Sequence, residues 1–265
     1  MPEGDTIFRT ADALRRWIGG RELTAVRSAR AGVDLAPLVG QRVESVEARA
    51  KHLLIRFSGG LTLHTHMVMT GSWHVYPTGE RWRKPSYQAR VVLECGSRTA
   101  VCFAAPVVEQ LDDDGIRVQR SLRQLGPDVL GGGEPVPAAE LRRRTAARAE
   151  HSPTVAELLL DQQVVSGIGN IYRCEALFAC RVEPHTASTD IEPTTLEDVV
   201  ATASRLMAAN ARTSAIARHF DTAPRPWVYR RAGRPCRRCG ATVQREVHGR
   251  NARALYWCPG CQTRS

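Results

Sequence analysis

The stretches Cys236-Arg237-Arg238-Cys239 and Cys258-Pro259-Gly260-Cys261, with 18 residues between them, are the most informative part of the sequence. Two Cys-x2-Cys knuckles at this spacing bring four thiolates round one tetrahedral Zn²⁺. Four sulfur ligands leave no open position for water, so we expect one structural zinc per chain. The residues between the knuckles predict a β-hairpin that turns near His248-Gly249, with His248 as a turn residue rather than a ligand.

Arginine is concentrated around this segment. Residues 205–265 hold 13 arginines against only Asp221 and Glu246, a formal charge of +11 in a chain whose total is +10. Arginine at phosphates releases condensed counterions, so the excess indicates a polyanion partner. Arg245, Arg250 and Arg253 alternate with apolar residues in the hairpin, which suits a ribbon laid on nucleic acid. The alternatives are a solvated basic surface and a protein-binding ribbon.

The composition excludes several other classes of protein. The chain has 265 residues, 43% hydrophobic and 24% charged, enough for two globular domains. It has no apolar run of about 18 residues and no charged-then-apolar start, so we expect a cytoplasmic protein without a membrane partner. The scattered Cys95, Cys102, Cys174 and Cys180 are then expected to be small hydrophobes rather than disulfide partners.

The first half of the chain changes from one helix to a series of strands. Apolar residues recur at helical spacing from Asp5 to Ile18, and Gly19-Gly20 supplies a stop. From Leu23 to about Cys102, short alternating or apolar runs are separated by glycine and proline, which is typical of a β-sandwich or barrel. The clearest runs are Val43–Val46, His52–Phe57, Leu61–His66 and Arg90–Leu93.

The second half is predicted to be helical. Residues 131–137 are rich in glycine and proline and mark a linker. Beyond it, helices are predicted at Ala138–Ala149, Thr154–Gln163, Ile171–Cys180 and Thr194–Asn210. In Val165–Asn170, Gly167 and Gly169 allow tight turns and leave amides exposed at a helix start, which binds phosphate well. Such a turn is also a common connector.

The chain starts with Met1-Pro2-Glu3-Gly4. A proline in second place predicts removal of Met1, after which Pro2 carries a free secondary amine, a good nucleophile for an electrophilic sugar carbon. The following helix points the positive end of its dipole at this amine and favours its neutral form. Glu3 is placed to move protons. In isolation, such a start is commonplace.

Several stretches match, in the same order, the endonuclease VIII branch of the Fpg/Nei DNA glycosylases, which the chain resembles over essentially its whole length. They are Pro2-Glu3-Gly4, Lys51-His52-Leu53-Leu54, His66-Met67-Val68-Met69-Thr70-Gly71, Leu125-Gly126-Pro127-Asp128-Val129-Leu130, Leu159-Leu160-Asp161-Gln162 through Asn170, and Tyr256-Trp257-Cys258-Pro259-Gly260-Cys261. The opening residues 2–7 are similar to an actinobacterial subgroup.

The resemblance implies an α+β fold with an N-terminal helix and β-sandwich domain at 1–130 and a linker at 131–137. A helix-two-turn-helix DNA-binding domain would follow at 138–224, and a zinc-ribbon β-hairpin at 225–265. It also implies a bifunctional DNA glycosylase and AP lyase of base excision repair. Such an enzyme would act as a monomer at the bacterial nucleoid and flip a damaged nucleotide out of double-stranded, bubble or single-stranded DNA.

The resemblance also implies a role for particular residues. Pro2 matches the nucleophile that attacks C1′ and leaves an imine to the opened sugar, and Glu3 matches the acid/base residue. Lys51, one of two lysines among 37 basic residues, matches a lysine near the phosphate and the reacting sugar. Asn170 and Arg253 match residues that bind the phosphates flanking the lesion.

Met69 matches an apolar wedge that enters the gap left by the flipped nucleotide, with a core methionine as the alternative. Val68 and Thr70 stand where larger polar or aromatic residues occur, which predicts less complete gap filling. Asp5 and Thr6 replace a Pro-Glu pair that is frequent in the family, so a second supporting glutamate is absent.

The substrate prediction depends on residues 105–110. Fpg enzymes carry Asp-Pro-Arg-Arg-Phe-Gly there and contact the base opposite the lesion, whereas this chain has Ala-Pro-Val-Val-Glu-Gln. Without that guanidinium, readout of the opposite base is expected to be poor, which favours oxidised pyrimidines. The Pro2 imine predicts strand cleavage by β,δ-elimination. The alternatives are an Fpg-type glycosylase for oxidised purines and a catalytically silent damaged-DNA-binding protein. A zinc-ribbon transcription factor leaves the first 130 residues without a role.

Overall fold

The computed structural model describes residues 2–29, 33–131, 135–212, 226–250 and 252–263. The chain divides into two compact units, Met1–Arg123 and Gln124–Ser265, and each has its own apolar core. The domain boundaries given above stay a prediction. Part of the predicted linker, residues 132–134, and residues 213–225 lie outside the described residues.

The first unit begins with helix α1 (Gly4–Ile18) and continues mainly as β-strands. The strands are β1 (Ala25–Ser28), β2 (Val43–Arg49), β3 (His52–Phe57), β4 (Thr62–His66), β5 (Ser72–Pro77), β6 (Ala89–Cys95), β7 (Arg98–Phe103) and β8 (Val107–Leu111). Two short helices, α2 (Asp113–Val118) and α3 (Arg120–Arg123), close the unit.

The strands form a β-sandwich, which decides between the two architectures that the sequence left open. One antiparallel sheet has the order β1-β6-β7-β5 and the other has the order β2-β3-β4-β8. Alternate strand residues face the core between them. A buried hydrogen bond from Trp73 Nε1 on β5 to Thr65 Oγ1 on β4 joins the two sheets at 3.1 Å.

Helix α1 packs its apolar face into the core of this sandwich. Ile7, Ala11, Leu14 and Ile18 are each at most 1% exposed. These are the residues at helical spacing, so the predicted helix is confirmed. It ends at Gly19-Gly20 as expected, and Gly20 has a φ of +72°, a conformation that glycine adopts without strain.

The second unit is mainly helical and ends in a two-stranded ribbon. Its described helices are α4 (Ala138–Ala146), α5 (Val155–Leu158), α6 (Asn170–Ala179) and α7 (Pro193–Ala211). The ribbon pairs β9 (Gln244–His248) with β10 (Arg253–Trp257), so the predicted hairpin is confirmed and His248 is the last residue of its first strand. Ribbon residues Leu255 and Cys258 are buried in the same core as α6 and α7.

One predicted helix is much shorter in the structure. The pattern predicted a helix from Thr154 to Gln163, but α5 ends at Leu158. Asp161 Oδ1 accepts the backbone N–H of Gln163 at 2.8 Å, and the Gln162 side chain donates to the carbonyl of Leu160 at 2.9 Å. These side chains compete with the helical backbone pattern and turn the chain out of the helix.

The four scattered cysteines are at least half-buried. Cys95, Cys102 and Cys174 are buried as predicted, and Cys180 is half-buried. Burial raises the pKa of both Cys95 and Cys174 to about 11, so these thiols stay protonated and unreactive. A search of the described residues finds no helix with the length and apolar character needed to cross a membrane.

Candidate active site and nucleic-acid interface

Pro2 and Glu3 lie at the N-terminus of α1. Glu3 is the N-cap residue, and its carbonyl accepts the N–H groups of Thr6 and Ile7 at 2.9 and 3.1 Å. Glu3 is fully buried, Pro2 is half-buried, and Asp5 in the first turn is buried as well. A carboxyl group kept from water at a helix start is placed to exchange protons with a bound substrate.

Two hydrogen bonds fix the direction of α1 relative to β2. Gly20 N–H donates to the Val43 carbonyl at 2.8 Å, and Arg15 Nη2 donates to the Val46 carbonyl at 2.7 Å. The residue nearer the start of the helix contacts the residue further along β2, so α1 and β2 run in opposite directions. From Arg15 back to Glu3 the helix extends about 18 Å, and from Val46 to Lys51 the strand extends about 17 Å. Glu3 and Lys51 thus lie towards the same end of the first unit.

Lys51 follows Ala50 in the tight turn between β2 and β3. Ala50 has a φ of +55°, and Lys51 is half-buried. The charge of Lys51 helps to lower the pKa of His52 and of His66, so its ammonium group lies near the ends of β3 and β4. The predicted catalytic residues Pro2, Glu3 and Lys51 therefore share one end of the unit, and their catalytic roles stay a prediction.

The loop between β4 and β5 exposes Met69. Its side chain is 50% exposed, so Met69 is not a core methionine, whereas Met67 is buried at 1%. Gly71 N–H donates to the Met67 carbonyl at 2.8 Å, and a Cβ at Gly71 would lie 2.7 Å from Met67 Cα. The Thr70 hydroxyl donates to the Ala104 carbonyl at 3.0 Å. These contacts hold a narrow turn that presents an apolar side chain to solvent.

In the second unit, the glycine loop before α6 is held by the side chain of Gln162. Gln162 Oε1 accepts the Gly167 N–H at 3.1 Å, and its Nε2 donates to the Ile168 carbonyl at 3.1 Å. Gly167 has a φ of +98°, where other residues are strained. Gly169 is the N-cap residue of α6. The loop therefore presents the start of α6 in a fixed conformation. Residues 164–170 are buried and the Gly167 N–H is bound to Gln162, so the predicted exposure of this loop is not observed.

Asn170 and Arg253, distant in sequence, are brought together where α6 meets the ribbon. Asn170 Nδ2 donates to the carbonyl of Ala254, the neighbour of Arg253, at 2.7 Å. The fully buried Arg173 donates to Asn170 Oδ1 and, at 3.2 Å, to the same Ala254 carbonyl. Arg173 thus fixes the asparagine of the loop against the strand that carries Arg253.

A second charged residue of α6 orders the chain that enters the ribbon. The Glu175 carboxylate accepts three backbone N–H groups, from Trp227 at 2.7 Å, Val228 at 3.0 Å and Tyr229 at 2.9 Å. Glu175 is 1% exposed. Burial raises the pKa of Glu175, and the three N–H donors act in the opposite direction.

Sequence reasoning did not identify Arg173 and Glu175. The signal that was available is their position inside α6, whose other described residues are mostly apolar and buried. A charged residue in such a helix must find partners within the core.

The four predicted zinc ligands converge as their spacing indicated. The Cys236 and Cys261 sulfurs lie 3.9 Å apart, and those of Cys239 and Cys258 lie 3.4 Å apart. All four Sγ atoms lie within 4.8 Å of one another. Sulfurs about 2.3 Å from a tetrahedral metal would be about 3.8 Å apart, so the cluster fits one ion. His248 is not part of it.

One sulfur of this cluster is already prepared for ligation. Burial opposes ionisation of the Cys236 thiol, but the backbone N–H groups of Arg238 and Cys239 lower the pKa of Cys236 to about 7. The Arg238 N–H lies 3.4 Å from this sulfur. Thiolate, not thiol, is the form that binds a metal, so these N–H donors favour the liganding state.

Residues 105–110 contribute most of strand β8 rather than a projecting loop. Glu109 Oε2 is bound by His64 Nδ1 at 2.8 Å and by Gln119 Nε2 at 2.6 Å. His64 Nε2 in turn lies 2.8 Å from His52 Nδ1. Burial lowers the pKa of His52 to about 3 and also lowers that of His64. The Glu109 carboxylate is therefore engaged inside the first unit.

Comparison with known proteins covers nearly the whole chain. The formamidopyrimidine-DNA glycosylase N-terminal domain matches residues 1–106, and the formamidopyrimidine-DNA glycosylase H2TH domain matches residues 125–221. The chain is 38% identical to a probable endonuclease 8 2 of Streptomyces coelicolor, over 99% of this chain and 94% of that protein. It is 38% identical to the DNA-(apurinic or apyrimidinic site) lyase Nei2 of Mycolicibacterium smegmatis, over the full length of both.

A solved structure shows the same fold. The Fpg of Lactococcus lactis, in a complex with DNA that contains an abasic site, superposes with a TM-score of 0.83 at 17% identity. The match covers 99% of this chain and 100% of that one. At this identity the likeness concerns the fold, and it confirms the helix and β-sandwich domain followed by the helix-two-turn-helix region.

Proposed function

We propose a reaction for this chain from the premise that it belongs to the formamidopyrimidine-DNA glycosylase and endonuclease VIII family. The protein is a DNA glycosylase and AP lyase of base excision repair. Its substrate is damaged DNA, and it would act at the nucleoid in the bacterial cytoplasm.

Pro2 is the nucleophile once Met1 has been removed. Its nitrogen forms a bond to C1′ of the damaged nucleotide while the C1′–base bond breaks and the base leaves with a proton. The amine then loses its proton, the nitrogen lone pair forms a double bond to C1′ as the C1′–O4′ bond opens, and a cationic imine, an iminium ion, joins Pro2 to the sugar. Glu3 gives the proton that O4′ needs. The observation that carries this assignment is the fully buried Glu3 beside Pro2 at the helix start.

Strand cleavage follows from the imine. Removal of a proton from C2′ expels the 3′ phosphate, and removal of one from C4′ expels the 5′ phosphate. Hydrolysis of the imine then releases the sugar fragment and leaves a one-nucleotide gap with phosphate at both ends. Lys51, towards the same end of the unit as Glu3, would hold a phosphate beside the reacting sugar.

Asn170 and Arg253 would bind the phosphates on either side of the lesion. Support comes from the shared Ala254 carbonyl, which keeps the start of α6 and the ribbon strand at a fixed separation. Gly167 and Gly169 would let the DNA backbone approach the N-terminus of α6. Met69 would fill the gap in the duplex, because its exposed side chain is the apolar tip of a narrow turn.

The metal of the Cys236, Cys239, Cys258 and Cys261 cluster would be zinc. Four thiolates at tetrahedral separations are typical of a structural Zn²⁺ site. The ion would supply no step of the reaction. Its role would be to hold the base of the ribbon and thereby position Arg253.

We infer that oxidised pyrimidines are the preferred lesions. Residues 105–110 contain no arginine, and most of them form a strand within the sheet, with Glu109 bound to His64 and Gln119. This segment therefore offers no guanidinium to the base opposite the lesion. Weak readout of that base would allow activity opposite any base and in single-stranded DNA, where unstacking costs least.

Borohydride trapping on DNA with an abasic or damaged site tests the nucleophile. Intact mass first establishes that Met1 is absent, and trapping should then occur with the native chain. It should disappear when the N-terminus is blocked. Glu3→Gln should slow base release, whereas the exposed Glu150→Gln should not. Undiminished trapping with a verified Met1 would assign the nucleophile to another amine, with Lys51 the first to examine.

Single-turnover rates test the substrate. Thymine glycol and 8-oxoguanine are each placed opposite all four bases and in a single strand. Thymine glycol should react faster, with little dependence on the opposite base and appreciable activity in the single strand. If 8-oxoguanine opposite cytosine is the best substrate and single strands are inert, the oxidised-purine alternative replaces this proposal.

A further inference from the structure

We propose that the second unit contains a second divalent-metal site, formed by His185, Glu246 and His248. His185 lies in the segment between α6 and α7, and the other two lie on β9. Glu246 Oε1 is 2.7 Å from His185 Nε2 and 2.9 Å from His248 Nδ1. One ligand atom from each residue lies within 4.8 Å of the other two, so a single ion can reach all three.

The outer nitrogen of each imidazole is held by an oxygen partner. His185 Nδ1 is bound to a carboxylate oxygen of Glu183, and His248 Nε2 lies 2.8 Å from the hydroxyl of Thr154. That hydroxyl donates to Glu157 at 3.2 Å and its oxygen accepts the Glu157 backbone N–H at 3.3 Å, so its second lone pair can accept from His248. Metal-binding histidines almost always have such outer partners, which fix the ring and turn the other nitrogen towards the ion.

The two carboxylates around His185 favour a cation at this position. Both ring nitrogens of His185 face carboxylate oxygens, Glu183 on one side and Glu246 on the other. A neutral imidazole carries only one N–H, so its second nitrogen would point a lone pair at a negative oxygen. A second proton or a metal ion removes this repulsion. A divalent ion does so for His185 and also binds His248 Nδ1 and the Glu246 carboxylate.

The donor set selects the kind of metal. Two imidazoles and one carboxylate suit Zn²⁺ or a neighbouring first-row divalent ion, with water in the remaining positions. Ligands about 2.1 Å from the ion would be about 3 Å or more apart, slightly wider than the present contacts. The three side chains are 26%, 37% and 14% exposed, so they have room for this adjustment.

The position of the site gives it a structural consequence. The four cysteines flank β9 and β10 at the base of the ribbon, whereas His248 ends β9 next to the turn. His248 is also the cross-strand partner of Arg253. A second ion would therefore bind the turn end of the ribbon to the segment that holds His185. If Arg253 binds phosphate, as proposed above, this ion would steady it.

Metal content of the purified holoprotein tests the site. Zn²⁺ is added in excess, weakly held metal is removed on a desalting column, and zinc per chain is measured by mass spectrometry. The native chain should retain about two ions and the His185→Gln variant about one. The exposed His151→Gln variant, a matched control, should retain two. Circular dichroism and retention of the first zinc report whether each variant is folded.

The absorption spectrum of bound Co²⁺ identifies the type of ligand in the native chain, without a substitution that could affect folding. Added to the native chain that carries only the cluster zinc, before any excess of Zn²⁺, Co²⁺ should give ligand-field absorption without the thiolate charge-transfer bands expected from cysteine ligands. It should also raise Tm, and Glu246→Gln should abolish both effects. One ion per chain in the native protein, with no cobalt spectrum, would overturn the proposal and leave a proton-shared His–Glu bridge. Neither the metal content nor the cobalt spectrum depends on glycosylase activity. Failure of this proposal is therefore distinguishable from failure of the proposed function.

Discussion

Replacement of Glu175 by alanine should weaken the second unit more than most single substitutions. The carboxylate accepts three backbone N–H groups at 2.7 to 3.0 Å, and the residue is 1% exposed. A hydrogen bond to a charged group contributes about 1.5–3 kcal/mol, and a buried donor left without a partner costs about 1–3 kcal/mol. Three unpaired N–H donors would together cost more than any one of these values. Water that enters the cavity left by alanine can accept from some of the donors, so we expect the free energy of unfolding to fall by about 3–5 kcal/mol.

The loss should be concentrated in the segment that Glu175 holds. Hydrogen–deuterium exchange of the full chain measures it at the amides of Trp227, Val228 and Tyr229. A local loss of about 3 kcal/mol raises exchange roughly 100-fold. Because Arg231 donates to the Trp227 carbonyl at 2.7 Å, the entry to the ribbon should loosen too. DNA affinity should then fall while the first unit keeps its exchange pattern.

Two comparisons make this prediction decisive. Glu175→Gln keeps the side-chain volume and one accepting oxygen, so its loss should be smaller than that of Glu175→Ala. The exposed Glu150→Ala should have little effect on urea unfolding or exchange. If Glu175→Ala costs less than about 1 kcal/mol and leaves exchange at residues 227–229 unchanged, the carboxylate does not organise this segment.

Further predictions address acid stability, the wedge and the metal cluster. Burial lowers the pKa of His52 to about 3 and that of His66 to about 4, so both stay neutral in the folded state while the unfolded chain takes up protons below 6.5. The free energy of unfolding of the first unit should therefore fall as pH drops from 6.5 to 4, by up to about 1.4 kcal/mol per pH unit for each histidine. His52→Gln should make that slope shallower in urea titrations, and an unchanged slope would contradict the assignment. Met69→Ala should lower the single-turnover excision rate in duplex DNA more than in single strands, with unchanged thermal stability; equal losses would argue against a wedge. Cys258→Ser should lose the cluster zinc and with it DNA affinity, whereas Cys95→Ser should keep both, as metal analysis and binding titrations would show.

The sequence alone was sufficient for features that depend on local spacing. Apolar residues at helical intervals gave α1 and its glycine stop, because a helix exposes one face to the core whatever lies opposite. The two Cys-x2-Cys knuckles gave the metal cluster and the hairpin between them, because four thiolates at such spacing have few other uses. The order of the motifs was enough to indicate the family.

Tertiary structure decided the features that depend on partners distant in sequence. A sandwich and a barrel have the same alternation of apolar and polar residues along their strands. The pairing of β8 with β4 and of β5 with β7 places the consecutive strands β4 and β5 in different sheets, which identifies the sandwich. Residues 159–163 have helical composition, but side-chain hydrogen bonds from Asp161 and Gln162 end α5 early.

Charged residues show the same limit most clearly. Arg173 and Glu175 are expected at the surface from their residue type, yet both are buried because the ribbon and its entry segment supply carbonyl and N–H partners. His185 meets Glu246 only after the chain has folded back on itself. Burial of a charge is favourable only when its partners are in place, and the sequence does not say which distant groups those partners will be.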